Sequence, residues 1–315
     1  MTDAAETSST AGAPPPPADV GEVLAGLAAH GYLADEGLAT SVFLALALHR
    51  PLLLEGEPGV GKTELARALA RWRAAELIRL QCYEGLDASQ AIYEWDYSRQ
   101  LLHLRAAEAV GATGADVDAL EDQLYDERFL VRRPLLHAIS ATDGPPPVLL
   151  VDEVDRADDE FEAFLLEVLA DYSVTVPELG TFRAEVPPIV VITSNRTRDV
   201  HDALKRRCLY HWVEHPDLER EVAIVRSRVP GIDEVLARQV AALTQALRQL
   251  ELYKPPGVAE TIDWAQALTV LGRRELDPAS VDATLGTVVK YREDTERVRR
   301  VGLDELVAAA RAEAG

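Results

Sequence analysis

The sequence predicts an α/β core on a doubly wound, five-stranded parallel sheet, followed by a smaller all-α domain. Three observations carry that expectation. Short apolar runs alternate with helically spaced segments up to about residue 215. A glycine-rich octet, Gly56-Glu57-Pro58-Gly59-Val60-Gly61-Lys62-Thr63, joins one apolar run to one helical segment. From Pro216 onward the strand signals vanish and only helical spacing remains.

Residues 1–19 are rich in Ala, Thr, Ser and Pro and are expected to be a disordered tail. Val20 to Ala29 and Asp35 to Leu48 read as helices flanking Gly31-Tyr32-Leu33. Pro51 to Glu55 is a short apolar run, a buried strand. Thr63 to Trp72 places Leu65, Ala66, Leu69 and Ala70 on one helical face. Leu77 to Cys82 is a second strand. Residues 83–147 are less regular: Tyr83 to Leu104 mixes aromatics and charges, a loop and then a helix fall within 106–126, and Pro134 to Ser140 is a short helix. Pro145-Pro146-Pro147 stops the chain before a third strand, Val148 to Val151. Phe161 to Ala170 is an amphipathic helix, residues 174–185 form a hairpin around Pro177-Glu178-Leu179-Gly180, and Ile189 to Thr193 is a fourth strand. His211 to Val213 supplies the fifth. Three or four helices follow, at about 217–228, 232–250, 259–272 and 278–290. The expected division is a core over 20–215, with an insertion at about 83–130, and a helical domain over 216–315.

At 315 residues the chain is long enough for two domains. It is 48% hydrophobic and 27% charged, within the globular range. A formal charge of −21 and a pI near 4.7 disfavour non-specific nucleic-acid binding, which needs a basic face to displace counterions. Cys82 and Cys208 are the two cysteines, and no C-x-x-C occurs, which fits a reducing cytoplasm and argues against a disulfide scaffold or zinc. No basic region followed by an apolar run marks a secretory signal. The longest apolar stretch, Leu38 to Leu48, is too short to span a bilayer.

The octet fits the pattern G-x-x-x-x-G-K-[ST] in full. Such a loop leaves backbone N–H groups free to converge on phosphate oxygens, and the helix after it aims its N-terminus at the anion. This makes the core a P-loop NTPase αβα unit. Glu57, Pro58, Gly59, Val60, Gly61, Lys62, Thr63 and Glu64 form the nucleotide-binding stretch, with Lys62 reaching the terminal phosphates and Thr63 offering its hydroxyl to Mg²⁺. An ordinary strand-to-helix turn is the plain alternative. The strand Val148 to Val151 ends in Asp152 and Glu153. Asp152 at that tip is placed to hold Mg²⁺ through water, and Glu153 to polarise the attacking water. The plain alternative is two solvated acids. Ile189 to Thr193 runs into Ser194-Asn195; on a neighbouring strand, Asn195 reaches the terminal phosphate, and otherwise it is a turn residue. Lys205-Arg206-Arg207 is either a solvated face or a source of an arginine for a neighbouring subunit's nucleotide, with Arg207 ahead of Arg206.

Taken together, these segments resemble the AAA+ ATPases, and within them the MoxR branch, over about residues 20–300. Gly56 to Glu64 is close to that branch's first motif, and Asp152-Glu153-Val154-Asp155-Arg156-Ala157 is similar to its D-E-I-N-R-A, with Asp155 in place of asparagine. The hairpin at 174–185 and the segment after Cys82 stand where the branch carries insertions. Gln81 to Asp87 and Tyr93-Glu94-Trp95-Asp96-Tyr97 look like the CoxD-type members. The resemblance implies Mg²⁺-dependent ATP hydrolysis in a homo-oligomeric ring, as a rule a hexamer. It further implies a partner with a von Willebrand factor A (VWA) domain and a molybdenum-containing dehydrogenase as client. Many relatives place an arginine near the start of the third lid helix; here Pro256 to Thr261 holds none, and Arg156 is a candidate to supply charge across a subunit boundary. Tyr93, Trp95, Tyr97 and the hairpin are candidates for pushing on a client, with ordinary packing the alternative for the aromatics. Two rival readings share the core motifs: a nucleic-acid-directed motor, which the acidity opposes, and a nucleotide switch without remodelling, which the presence of Glu153 opposes.

Overall fold

The computed structural model describes residues 15–109, 123–141 and 144–314. Helices α1 (Val20–Ala29) and α2 (Glu36–Leu48) are each capped by an aspartate, Asp19 and Asp35, whose side chain accepts a backbone N–H of the first turn. Strand β1 (Leu52–Glu55) enters the phosphate loop and α3 (Lys62–Trp72) leaves it. β2 (Leu77–Gln81), α4 (Ala88–Ile92), β3 (Tyr93–Trp95), α5 (Tyr97–Ala109), β4 (Leu130–Arg132) and α6 (Pro134–Ser140) follow. Then come β5 (Val148–Asp152), α7 (Asp159–Asp171), the hairpin strands β6 (Ser173–Val176) and β7 (Gly180–Arg183), β8 (Ile189–Ser194), α8 (Asp202–Arg207) and β9 (Leu209–Trp212).

The main sheet has the order β2-β5-β8-β1-β9, and every neighbouring pair is parallel. Both faces are covered, which is why its central strands read as continuous apolar runs instead of alternating ones. Alternation appears only in which core each residue enters. Leu53, Leu149, Val151, Val190 and Ile192 pack with Phe161, Leu165 and Leu204 on one face. Leu52, Leu54, Val148, Leu150 and Val191 pack with Leu27, Val42, Leu65 and Leu69 on the other. The fifth strand starts at Leu209, two residues earlier than its apolar signal suggests.

The insertion is more regular than its sequence. β3 and β4 pair antiparallel, with Trp95 opposite Leu130, and α5 is a helix where only a mixture of aromatics and charges was legible. The acidic loop expected within 106–126 lies largely outside the described residues, as does most of the 1–19 tail. Trp95 is 7% exposed and packs edge-on against Tyr125, so packing accounts for it; Tyr97 is 70% exposed.

After β9 the chain is helical: α9 (Leu218–Arg228), α10 (Glu234–Arg248), α11 (Val258–Val270), α12 (Pro278–Val288), α13 (Arg292–Val301) and α14 (Leu303–Glu313). That is two helices more than expected. They enclose a separate core around Trp264, whose indole N–H donates to Thr284 Oγ1 at 2.7 Å.

Candidate functional site

The ends of β1, β5 and β8 converge at the carboxyl edge of the sheet, where ligands of doubly wound folds bind. A cavity of about 580 Å³ opens there, and Pro58 to Glu64, Asp152, Glu153 and Asn195 all line it. Glu57 does not; it faces a second cleft between the sheet and the helical region. Arg206 and Arg207 lie outside both.

Two glycines inside the loop are fixed by their backbone conformation. Gly59 (φ +81°) and Gly61 (φ +97°) occupy the left-handed region, where a β-carbon is strained. At Gly59 there is a second reason: a β-carbon would stand 3.0 Å from Gly257 Cα, because the helical region closes directly on the loop. Val258 N donates to Gly59 O at 3.0 Å across that contact.

Lys62 is 6% exposed, and its Nζ donates to Gly56 O and Glu57 O at 2.8 Å each. Burial pulls its pKa down to about 8, with Asp155 and Glu57 opposing the shift. Thr63 Oγ1 donates to Asp152 Oδ1 at 2.9 Å. Asp152, 2% exposed, also accepts from Thr193 Oγ1 at 2.6 Å on the same oxygen, and from Arg79 Nε (3.0 Å) and Nη2 (2.6 Å) on Oδ2.

Glu153 follows at φ +56°, with its N–H donating to Thr193 Oγ1 at 2.9 Å. Its Oε2 accepts from Gln81 Nε2 and Arg156 Nη1, both at 3.1 Å, and its Oε1 from Asn195 Nδ2 at 3.4 Å. Asn195 is held in turn by its N–H to Asp155 Oδ1 at 3.2 Å, while Thr197 N and Oγ1 donate to Asp155 Oδ2 at 2.8 and 2.7 Å. Asp155 is therefore an acceptor for three donors of the loop after β8, a task that suits a carboxylate better than an amide.

Arg207 Nη2 donates to the carbonyls of Leu169 and Ala170 at the end of α7. The Arg206 side chain is exposed and has no hydrogen-bond or ion-pair partner among the described residues. Arg50 Nη2 fastens the backbone below both, donating to Arg206 O and Arg207 O at 2.9 Å each.

Several residues at the site were not legible as such. Arg79, Gln81 and Thr193 reach it through strand register. Arg220 and Arg228 reach it from α9: Arg220 Nη1 donates to Asp35 Oδ2 and Arg228 Nη2 to Glu64 Oε1, each at 2.8 Å. They bring positive charge to the cavity from the helical side, whereas α11 begins at Val258 without an arginine. Arg156 is engaged within its own chain, on Glu153. The donor set suits a hard divalent cation: a hydroxyl and a carboxylate oxygen in mutual contact, with room for phosphate and water oxygens.

Residues 51–208 match the model of the AAA domain, dynein-related subfamily. The uncharacterized protein YehL of Escherichia coli (strain K12) is 27% identical over 293 residues, covering 82% of this chain and 74% of that protein. The gas vesicle ATPase GvpN2 of Halobacterium salinarum is 26% identical over 279 residues, covering 84% and 75%. A mutant RuvB of Thermotoga maritima superposes with a TM-score of 0.47 at 14% identity, over 82% of this chain and 70% of that one.

Proposed function

The chain belongs to the AAA domain family, dynein-related subfamily, and on that premise we propose that it is a MoxR-branch ATPase working as a ring on a client metalloenzyme. ATPase activity follows from the family. The observation that carries the site assignment is the convergence of Lys62, Thr63, Asp152, Glu153 and Asn195 on one cavity.

In this reading residues 20–215 form the nucleotide-binding core and 216–315 the lid. Phosphate oxygens replace the carbonyls of Gly56 and Glu57 as acceptors for Lys62 Nζ, and the N-terminus of α3 faces the same charge. Thr63 and Asp152 hold Mg²⁺, which when bound neutralises charge on the transferred phosphoryl group. Glu153 takes the attacking water, which requires it to leave Gln81 and Arg156. Asn195 fixes that water against the terminal phosphate. Arg228 and Arg220 on α9 answer the nucleotide from the lid in place of the arginine missing from α11.

An arginine completes the site from the next subunit, in a ring we take to be a hexamer. Arg206 is the freer of the two candidates, since α7 carbonyls already hold Arg207. The motifs at 81–87 and 93–97 support a CoxD-type assignment, hence a partner carrying a VWA domain and maturation of a molybdenum-containing dehydrogenase. Exposed Tyr97 and the β6–β7 hairpin are the candidate contacts to the client. Among the described residues no helix is long and apolar enough to cross a membrane.

Glu153→Gln should bind ATP without cleaving it, and a pull-down with that variant held in ATP should retain the client. Recovery of nucleic acid in place of a dehydrogenase or its VWA partner would overturn the client assignment. Normal turnover by Lys62→Ala would overturn the site itself.

A further inference from the structure

Arg79 and Gln81 lie two residues apart on β2, so their side chains share one face of the sheet. β2 pairs with β5 so that Gln81 stands opposite Asp152. Arg79 thereby reaches the metal-side carboxylate with two donors, Nε at 3.0 Å and Nη2 at 2.6 Å from Asp152 Oδ2. The same Nη2 donates to Gln81 Oε1. With its oxygen taken by a cation, the Gln81 amide has one orientation left: Nε2 donates to Glu153 Oε2 at 3.1 Å. Asp152, Arg79, Gln81 and Glu153 therefore form one unbroken chain of donors and acceptors. Arg79 does not line the nucleotide cavity, so nothing in its position suits it to bind phosphate directly.

We propose that Arg79 is a positioning residue that couples metal loading at Asp152 to release of Glu153. The inference rests on the nucleotide-site reading above and deepens it. The physical argument is charge competition. Arg79 is the cation already resident on Asp152, and a divalent ion arriving at the same carboxylate repels it and takes a share of its counter-charge. As the grip of Arg79 on Asp152 weakens, so does the fixed orientation of Gln81, and with it the hydrogen bond that keeps Glu153 from water. The base is thus freed from Gln81 when the metal is in place, with Arg156 the remaining contact on Oε2. By linkage, whatever strengthens the Gln81 hold on Glu153 weakens metal binding by the same factor.

The test measures binding, not turnover. A fluorescent non-hydrolysable ATP analogue is titrated with Mg²⁺, and the half-saturating Mg²⁺ concentration is read. Arg79→Met should lower it by about threefold to tenfold, the scale of a charge-assisted contact with partial exposure. Arg79→Lys, which keeps the charge, should stay near wild type. Gln81→Ala should lower it less, and the double variant Arg79→Met/Gln81→Ala should go no further than Arg79→Met alone. A higher or unchanged value in Arg79→Met would mean that Arg79 only props Asp152 in place, and additive effects of the two substitutions would break the chain between them. Should Arg79→Met not fold, Arg79→Gln reads the same quantity. Wild-type protein that binds the analogue at no Mg²⁺ concentration overturns the nucleotide site itself, a result distinct from failure of the coupling.

Discussion

Glu221 on α9 is fully buried, and its carboxylate is the junction of three helices of the C-terminal helical region. Its Oε1 accepts from Arg248 Nη2 at 2.6 Å and Thr261 Oγ1 at 2.8 Å; its Oε2 accepts from Arg248 Nη1 at 2.7 Å. The Arg248 side chain is 7% exposed, so the pair is a two-pronged ion pair away from water. Glu221→Ala removes the only carboxylate on that guanidinium among the described residues. Thr261 Oγ1 keeps its bond to Gly257 O at 3.0 Å, so the loss falls mainly on Arg248, which keeps Pro256 O at 2.7 Å. Breaking a buried pair by removing one partner costs about 3–5 kcal/mol, and the surviving contacts put this case at about 3 kcal/mol. That corresponds to a urea midpoint lower by about 1–3 M for a unit of this size. The assay is urea unfolding followed at Trp264, in a background where Trp72, Trp95 and Trp212 are phenylalanine. Glu221→Leu with Arg248→Met should recover most of the loss, because no charge is then left unpaired. A shift below about 0.3 M in Glu221→Ala, or a double variant as unstable as the single one, would refute this account of the helical core.

Two further outcomes are expected. Lys62 has its pKa lowered from 10.5 to about 8 by burial, so the nucleotide-free protein binds fewer protons there than the unfolded chain between those values, and its stability contribution rises with pH across that window. Phosphate restores the ammonium form, so ATP binding should take up a proton above pH 8 and weaken as pH rises further; calorimetry in buffers of different ionisation enthalpy would register the proton, and a flat profile would count against Lys62 as a phosphate contact. Arg206→Ala and Arg207→Ala should separate: the first should lose turnover with unchanged stability and be rescued in rings mixed with Glu153→Gln subunits, while the second should also lower the melting temperature, since it uncaps α7. Equal loss of stability in both would contradict the difference in their contacts.

The strands that build the site were legible because burial on both faces leaves an unbroken apolar run, as in Val148 to Val151 and Ile189 to Thr193. The phosphate loop, Asp152 and Glu153 were legible because their spacing is local. Helix α13 was not: Arg292 to Val301 is mostly charged, and its order shows in the Arg292–Glu296 pair one turn apart, not in an apolar stripe. Helix α5 leaves Leu101 and Leu102 exposed, so no core-facing period marks it. Arg79 and Gln81 were illegible for a different reason. Their role depends on β2 lying beside β5 in a given register, which no local pattern states. Arg220 and Arg228 come from a helix far along the chain and meet Asp35 and Glu64 only because the helical region packs on the core.

The clamp of Arg50 on the carbonyls of Arg206 and Arg207 has a mechanical consequence. Arg50 stands just before β1, and the phosphate loop begins just after it. The strand between is four residues long, about 13 Å at the usual rise per residue, and is hydrogen-bonded on both sides. It is a stiff rod with the phosphate loop at one end and the backbone of Arg206 and Arg207 at the other. In the ring proposed above, the backbone that carries a subunit's arginine and its own cradle would move as one body. The timing of hydrolysis around the ring would then be set by rotation of whole subunits against each other, and the joint that yields would be the seam between them.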